Sequence, residues 1–247
     1  MWQGAKVAVI MPAYREERLV ARTLRRLPAY VDRVYVVDDA SPDTTVECIA
    51  NVGDARVCLL RHERNQGVGA AIATGYRQAL ADGVELLVVM AADDQMDPED
   101  LPRLLDVVSG GSADYAKGNR FLHRDARRMP LRRQLGSRFL SLLTRAATSL
   151  PVDDCQCGYT VLSAAAARQL PLSELWPRYG YPNDLLGMLA AAACQVAEVP
   201  VRPVYADESS GLRSYHVFVI SAVIARRWWR SRERQLPVPH PPCEPAG

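Results

Sequence analysis

Four short apolar runs, at residues 7–11, 34–37, 57–60 and 86–90, alternate with segments of helical character. Leu19, Val20, Thr23, Leu24 and Leu27 recur at helical spacing within 16–27, residues 44–52 form a short helix, and 69–80 is alanine-rich. Runs this short and this apolar read as strands buried on both faces. Strands alternating with helices require a mostly parallel sheet with helices packed on both sides. Each run also stops at a cluster of Pro, Gly or acidic residues. In an open sheet of this kind, ligands bind in the crevice outside the carboxyl ends of the strands.

The 247 residues, 49% of them hydrophobic, are enough for one large α/β domain with a full core. After Gly111 the alternation breaks down. The pattern predicts a helix over 132–149, a helical or mixed segment over 161–170, a helix over 183–193, a strand over 195–201 and an amphipathic helix over 217–229. The expected organisation is a domain over 1–216, an amphipathic helix over 217–234 and a disordered tail over 235–247, which holds five prolines. Six scattered cysteines fit reduced thiols in a cytosolic protein better than a disulfide framework. Cys155-Gln156-Cys157 lacks the second pair a zinc site needs. No signal peptide is expected, because Lys6-Val7 leads straight into a strand, and no apolar stretch reaches membrane-spanning length.

The four clusters are Pro12-Ala13-Tyr14-Arg15-Glu16-Glu17, Asp38-Asp39-Ala40-Ser41-Pro42-Asp43, Asn65-Gln66-Gly67-Val68-Gly69-Ala70-Ala71 and Ala91-Ala92-Asp93-Asp94-Gln95-Met96-Asp97. Each alone could be a turn or a helix cap. Four in order at the ligand-binding edge argue for a site. The last offers the oxygen ligands that suit Mg²⁺ or Mn²⁺ holding a diphosphate. Two common phosphate-binding patterns are excluded. No glycine-rich turn follows the first strand, and no Gly-Lys-Ser/Thr loop exists.

Together the clusters resemble family-2 glycosyltransferases of the GT-A fold, close to the polyprenyl-phosphate and dolichyl-phosphate mannosyl and glucosyl synthases. "VIMPAYREE", "VVDDASPDTT", "NQGVGAA" and "DDQMDPEDLP" carry the resemblance, which runs from about Val7 to Arg213. It implies a nucleotide-sugar donor, a UDP- or GDP-hexose, held by Pro12, Ala13, Tyr14, Glu16, Asp39, Gly67, Asp93 and Arg213. It implies Mg²⁺ or Mn²⁺ at Asp93 and Gln95. The family motif is Asp-x-Asp-x-Gln, and here Ala91 replaces its first Asp. Asp154, in a block like the family's "DTQCGF", and Asp184 are the carboxylates expected on the acceptor side, with Arg213 beside the donor phosphates. Asp184 would equally serve as charge compensation at a helix N-terminus.

The chemistry asked of such a site is positioning plus neutralisation of a departing diphosphate. A lipid-phosphate acceptor needs no general base, because its oxygen is already anionic; a hydroxyl acceptor does. From Arg120 to Arg145 there are eight arginines and one acid, Asp125, interleaved with leucines. Arg127, Arg128, Arg132 and Arg133, together with Trp228 and Trp229 near the chain's end, are the expected contacts to a lipid-phosphate acceptor or an anionic membrane surface. A solvated basic face or a homo-oligomer contact would use the same residues. With net charge +2 and no aromatic stacking platform, nucleic acid is not an expected partner. The expectation is an inverting hexosyltransferase, cytoplasmic or peripheral on the inner face of a membrane, acting on a polyprenyl phosphate. The alternatives are transfer to the hydroxyl of a soluble metabolite, cell-wall precursor or protein, and a catalytically weak nucleotide-sugar-binding protein.

Overall fold

The computed structural model describes residues 1–204 and 215–233. Arg213, Arg234 and the proline-rich segment 235–247 lie outside the described residues. In chain order the elements are β1 Val7–Ala13, α1 Val20–Arg25, β2 Arg33–Asp38, α2 Thr45–Ala50, β3 Val57–Arg61, α3 Val68–Ala81, β4 Leu86–Val89, α4 Leu101–Ser109, β5 Tyr115–Asn119, α5 Leu131–Thr148, β6 Thr160–Ser163, α6 Ala164–Gln169, α7 Tyr181–Ala191, β7 Val196–Pro200 and α8 Tyr215–Glu233. The strands form one seven-stranded sheet in the order β3-β2-β1-β4-β6-β5-β7. β6 runs antiparallel to β4 and β5, and the remaining neighbours pair in parallel.

Side chains on β1 alternate between two cores, as a period of two demands. Ala8 and Ile10 face a core closed by Ile72 and Tyr76 of α3 and Leu185, Leu186 and Leu189 of α7. Val7, Val9, Met11 and Ala13 face the other, closed by Val20 and Leu24 of α1 and Leu101, Leu104 and Leu105 of α4. Burial on both faces is why β1, β2 and β4 read as unbroken apolar runs. Ile220 and Ile224 of α8 belong to the first core, so the terminal helix packs into the domain. β2 and β3 lie on one side of β1 and β4 on the other, so a topological switch point opens at the carboxyl ends of β1 and β4.

Three elements depart from the sequence reading. The first helix begins at Val20 and not near residue 16, because Arg15 takes a left-handed φ of 60° and the Glu16 N–H donates to Thr45 Oγ1 at 2.9 Å. Residues 161–170 divide into β6 and α6, with Ser163 capping the helix through Ala166 N–H at 3.1 Å. β5, Tyr-Ala-Lys-Gly-Asn, has no apolar run, yet it is a fully buried strand.

Candidate active site

The ends of β1, β2 and β4 are each followed by a non-glycine residue in the left-handed region: Arg15 at φ 60°, Ala40 at 58° and Asp94 at 56°. Such backbone is costly and tends to cluster where a site must be held in one shape. Between these ends lies a cleft of about 570 Å³. Its floor and one side are Pro12, Ala13, Tyr14 and Glu16 from β1, Asp39 from β2, and Ala91, Ala92 and Asp93 after β4. Asn65, Gly67, Val68 and Ala71 come from the entry to α3. The facing wall is Trp176, Arg178 and Tyr179, and α8 adds His216 and Val219.

Asp39 fastens one loop of this cleft. Its Oδ1 accepts from Gln66 N–H at 2.8 Å and lies 2.7 Å from His62 Nδ1, while Oδ2 accepts from Gly67 N–H at 2.7 Å. A carboxylate oxygen has two lone-pair sites, so Oδ2 retains acceptor capacity toward the cleft. The glycines that follow are fixed by a close approach. A Cβ on Gly67, at φ 101°, would sit 2.5 Å from the Pro177 carbonyl oxygen, and one on Gly69 would sit 2.1 Å from that of Trp176. The Ala70 N–H donates to the Pro177 carbonyl at 3.1 Å. Gly67 therefore lines the cleft, but it is glycine because the 176–178 wall seats against α3 there.

Of the acidic cluster, Asp93 lines the cleft, and its Oδ1 accepts from Gln95 N–H at 3.0 Å. Asp94, itself buried, turns away into ion pairs with the exposed side chains of Arg22 at 2.8 Å and Arg26 at 2.6 Å. Asp97 caps the turn Pro98–Asp100 through Glu99 N–H at 3.2 Å. The described contact of Gln95 is made by its backbone N–H, and its side chain is not among those lining the cleft. Among the described residues no group of three His, Cys, Asp or Glu side chains is placed to hold a metal ion. Asp93 alone fits the lesser arrangement in which one carboxylate and the phosphates of a ligand share a Mg²⁺-like ion.

Asp154 and Asp184 do not face this cleft. Asp154 is fully enclosed. It receives Arg120 Nε at 2.8 Å, Arg120 Nη2 at 2.9 Å and the Arg120 N–H at 3.1 Å. Burial pushes its carboxyl up, but the Arg120 guanidinium, with Lys117 nearby, outweighs burial and holds it below the usual value. The same network contains Glu198, which accepts from the N–H groups of Asp153 and Asp154 and from Asn119. Burial leaves the Glu198 carboxyl raised. Asp184 accepts from Arg227 and from Trp176 N–H at 2.8 Å. Both carboxylates anchor other groups and do not line the cleft themselves.

Arg127 and Arg132 are exposed and Arg133 is half-buried, all outside the cleft; of Arg128 only the backbone is described. Trp228 is half-buried and Trp229 exposed on α8. The terminal helix, which the sequence offered only for acceptor or membrane contacts through Trp228 and Trp229, also brings His216 and Val219 into the same cleft as Tyr14 and Asp39. The sequence reading also missed Trp176, Arg178 and Tyr179. Their one local signal is an aromatic and basic run just ahead of α7.

The family model described as "Glycosyl transferase family 2" matches residues 8–170. The undecaprenyl-phosphate mannosyltransferase of Micrococcus luteus is 31% identical over 229 residues, covering 90% of this chain and 93% of that protein. The UDP-N-acetylglucosamine–dolichyl-phosphate N-acetylglucosaminyltransferase of Methanococcus voltae is 27% identical over 219 residues, covering 82% and 87%. Among solved structures, glucosyl-3-phosphoglycerate synthase from Mycobacterium tuberculosis in complex with UDP superposes with a TM-score of 0.70 at 20% identity, over 92% of this chain and 81% of that one. That likeness is one of fold. On the extent of the family match and the cleft its motifs build, the chain belongs to glycosyltransferase family 2 and has the GT-A fold.

Proposed function

We propose that the protein transfers a hexose, with inversion, from a UDP- or GDP-sugar to a polyprenyl-phosphate acceptor. The observation that carries this reading is the cleft at the β1/β4 switch point, which gathers Pro12, Tyr14, Asp39 and Asp93 from three strand ends. The relatives from M. luteus and M. voltae, named for polyprenyl-type acceptors, match over four-fifths or more of the chain. In this reading Tyr14 and the remaining acceptor capacity of Asp39 hold the nucleoside, and Asp93 lies at the diphosphate. Asp93, together with the donor's phosphates, would hold Mg²⁺ or Mn²⁺, which would supply positive charge to the leaving group. Related GT-A structures have been determined with UDP and either ion. Arg213, outside the described residues, is assigned to the same diphosphate by its motif.

The reaction breaks the bond between the anomeric carbon and the diphosphate oxygen and forms one to a phosphate oxygen of the acceptor. No proton has to leave that oxygen, so no general base is required. The cleft residues position the two reactants for an in-line exchange. Asp154 acts indirectly, by holding Arg120. The experiment is a transfer assay with UDP- and GDP-hexoses, Mg²⁺ or Mn²⁺, and a panel of undecaprenyl phosphate and small soluble hydroxyl compounds. Sugar appearing on the lipid phosphate is the expected result. Sugar appearing only on a soluble hydroxyl would replace this reading.

A further inference from the structure

Helix α5 is inside out. Its buried side chains are mostly small and polar: Ser137, Ser141 and Thr144, with Leu140. Its largest apolar side chains face outward: Leu131 is 74% exposed, Leu135 68%, Phe139 50% and Leu142 64%. At the helical repeat these four fall within an arc of about 80°. The inward face is bonded specifically. Ser141 Oγ accepts from Cys155 N–H at 3.0 Å, and Thr144 Oγ1 accepts from Asn183 Nδ2 at 2.8 Å while donating to the Leu140 carbonyl at 2.8 Å. The helix therefore cannot roll its leucines inward without breaking these bonds.

Its neighbour α8, which packs against α5 and α7, repeats the pattern. Ile220, Val223 and Ile224 are buried, while Phe218, Ala222, Ala225 and Trp229 are exposed along one line, Phe218 at 78% and Trp229 at 61%. Single exposed apolar residues are ordinary, but a contiguous stripe marks a surface that something covers. The charge beside the stripe says what. Arg138 and Arg145 fall on one flank of the α5 stripe and Arg132 on the other, and Arg124 and Arg127 precede it, all exposed. Among the described residues no helix is long and apolar enough to cross a membrane.

We propose that the outward stripe of α5, joined by that of α8, docks the protein on an anionic lipid bilayer. The leucines and Phe139 enter the acyl boundary and the flanking arginines meet the headgroups. The proposal deepens the reading of a lipid-phosphate acceptor and rests on it for purpose, though not for geometry. A second copy of the chain would satisfy the apolar stripe, but it would bring arginine flanks against arginine flanks.

The test is flotation with vesicles of phosphatidylcholine, with and without phosphatidylglycerol. Wild type should float with the anionic vesicles and less so as salt rises. Leu131→Gln/Leu135→Gln/Leu142→Gln should lower partitioning at least about tenfold while leaving donor affinity, measured by calorimetry, unchanged. Phe218→Ser/Trp229→Ser should lower it independently. Wild type that ignores anionic vesicles, or a triple variant that binds them normally, overturns the proposal. So does a dimer seen by light scattering that the triple variant turns into a monomer. Transfer to undecaprenyl phosphate in detergent micelles keeps the two readings apart. Transfer without vesicle binding removes only the docking surface, and vesicle binding without transfer removes only the acceptor.

Discussion

Asp184 and Arg227 form a buried two-pronged pair, Nε to Oδ1 at 2.7 Å and Nη2 to Oδ2 at 2.8 Å, joining α7 to α8. The same Oδ2 accepts from the N–H of Trp176, so one carboxylate ties α8 to the wall of the cleft. Gly187 makes room for the arginine, because a Cβ there would lie 2.4 Å from Arg227 Cγ.

Removing one partner of a buried ion pair strands the other. Asp184→Ala should cost about 3–5 kcal/mol of stability, read from urea unfolding. At temperatures where the variant is still folded, the KM for the donor should rise more than kcat falls, because the loss is in the wall and not at the reacting atoms. Equal loss in kcat at unchanged KM would assign Asp184 to the chemistry instead.

Asp93→Ala should remove transfer while leaving the thermal midpoint near that of wild type. Its carboxylate is the one from the acidic cluster that lines the cleft. Loss of that charge beside the departing diphosphate is expected to cost roughly a thousandfold in rate. Activity above a tenth of wild type under saturating Mn²⁺ would contradict the assignment.

Asp39→Ala should weaken both the donor site and the loop that shapes it. Three contacts to residues 62–67 disappear at once, so the midpoint should fall along with donor affinity. Each charge-assisted hydrogen bond is worth about 1.5–3 kcal/mol. Calorimetry that finds wild-type donor affinity would limit Asp39 to a structural role.

Ala91 lines the cleft beside Asp93, where the family motif has a second carboxylate. Ala91→Asp should tighten Mn²⁺ binding in the presence of UDP, with the gain read by titration calorimetry. An unchanged metal affinity would mean that the ion is already fully ligated without this position.

Asp154 binds its proton more weakly in the folded protein than unfolded, because of the Arg120 pair. Its stabilising contribution is therefore complete above the ordinary carboxylate range and is lost as pH falls through that range toward the lower folded value. Asp154→Asn should lose stability at neutral pH and show a shallower further loss in acid. Urea midpoints measured from neutral pH downward for both proteins check the sign. Parallel curves would mean that the pair contributes nothing to acid sensitivity.

The parallel half of the fold was legible because its strands are apolar on both faces and its loops are written contiguously. Asp39 and the Gly67–Gly69 stretch could be located that way. β5 was not legible because Lys117, Gly118 and Asn119 look like a turn. They are buried in a strand only because Lys117 donates to the Cys157 carbonyl and Asn119 to Glu198. The buried ion pairs of Asp154 and Asp184 were not legible for a related reason. Their arginine partners lie 34 and 43 residues away in sequence, and no local pattern announces such a pairing. The cleft's far wall was hidden in the same way: the glycines imply that something passes close to α3, but not that it is Trp176 and Pro177.

The contribution of His216 and Val219 to the cleft sets an order of events during synthesis. Every strand among the described residues ends by Pro200, so the sheet's strands are all synthesised before α8 emerges. A chain grows from its amino end, and early segments fold first. The cleft is thus completed after the sheet, by the helix that brings in His216 and Val219. On the proposed reading, donor binding then reports whether α8 is seated, because the helix that fills the core with Ile220 and Ile224 also brings His216 and Val219 to the cleft.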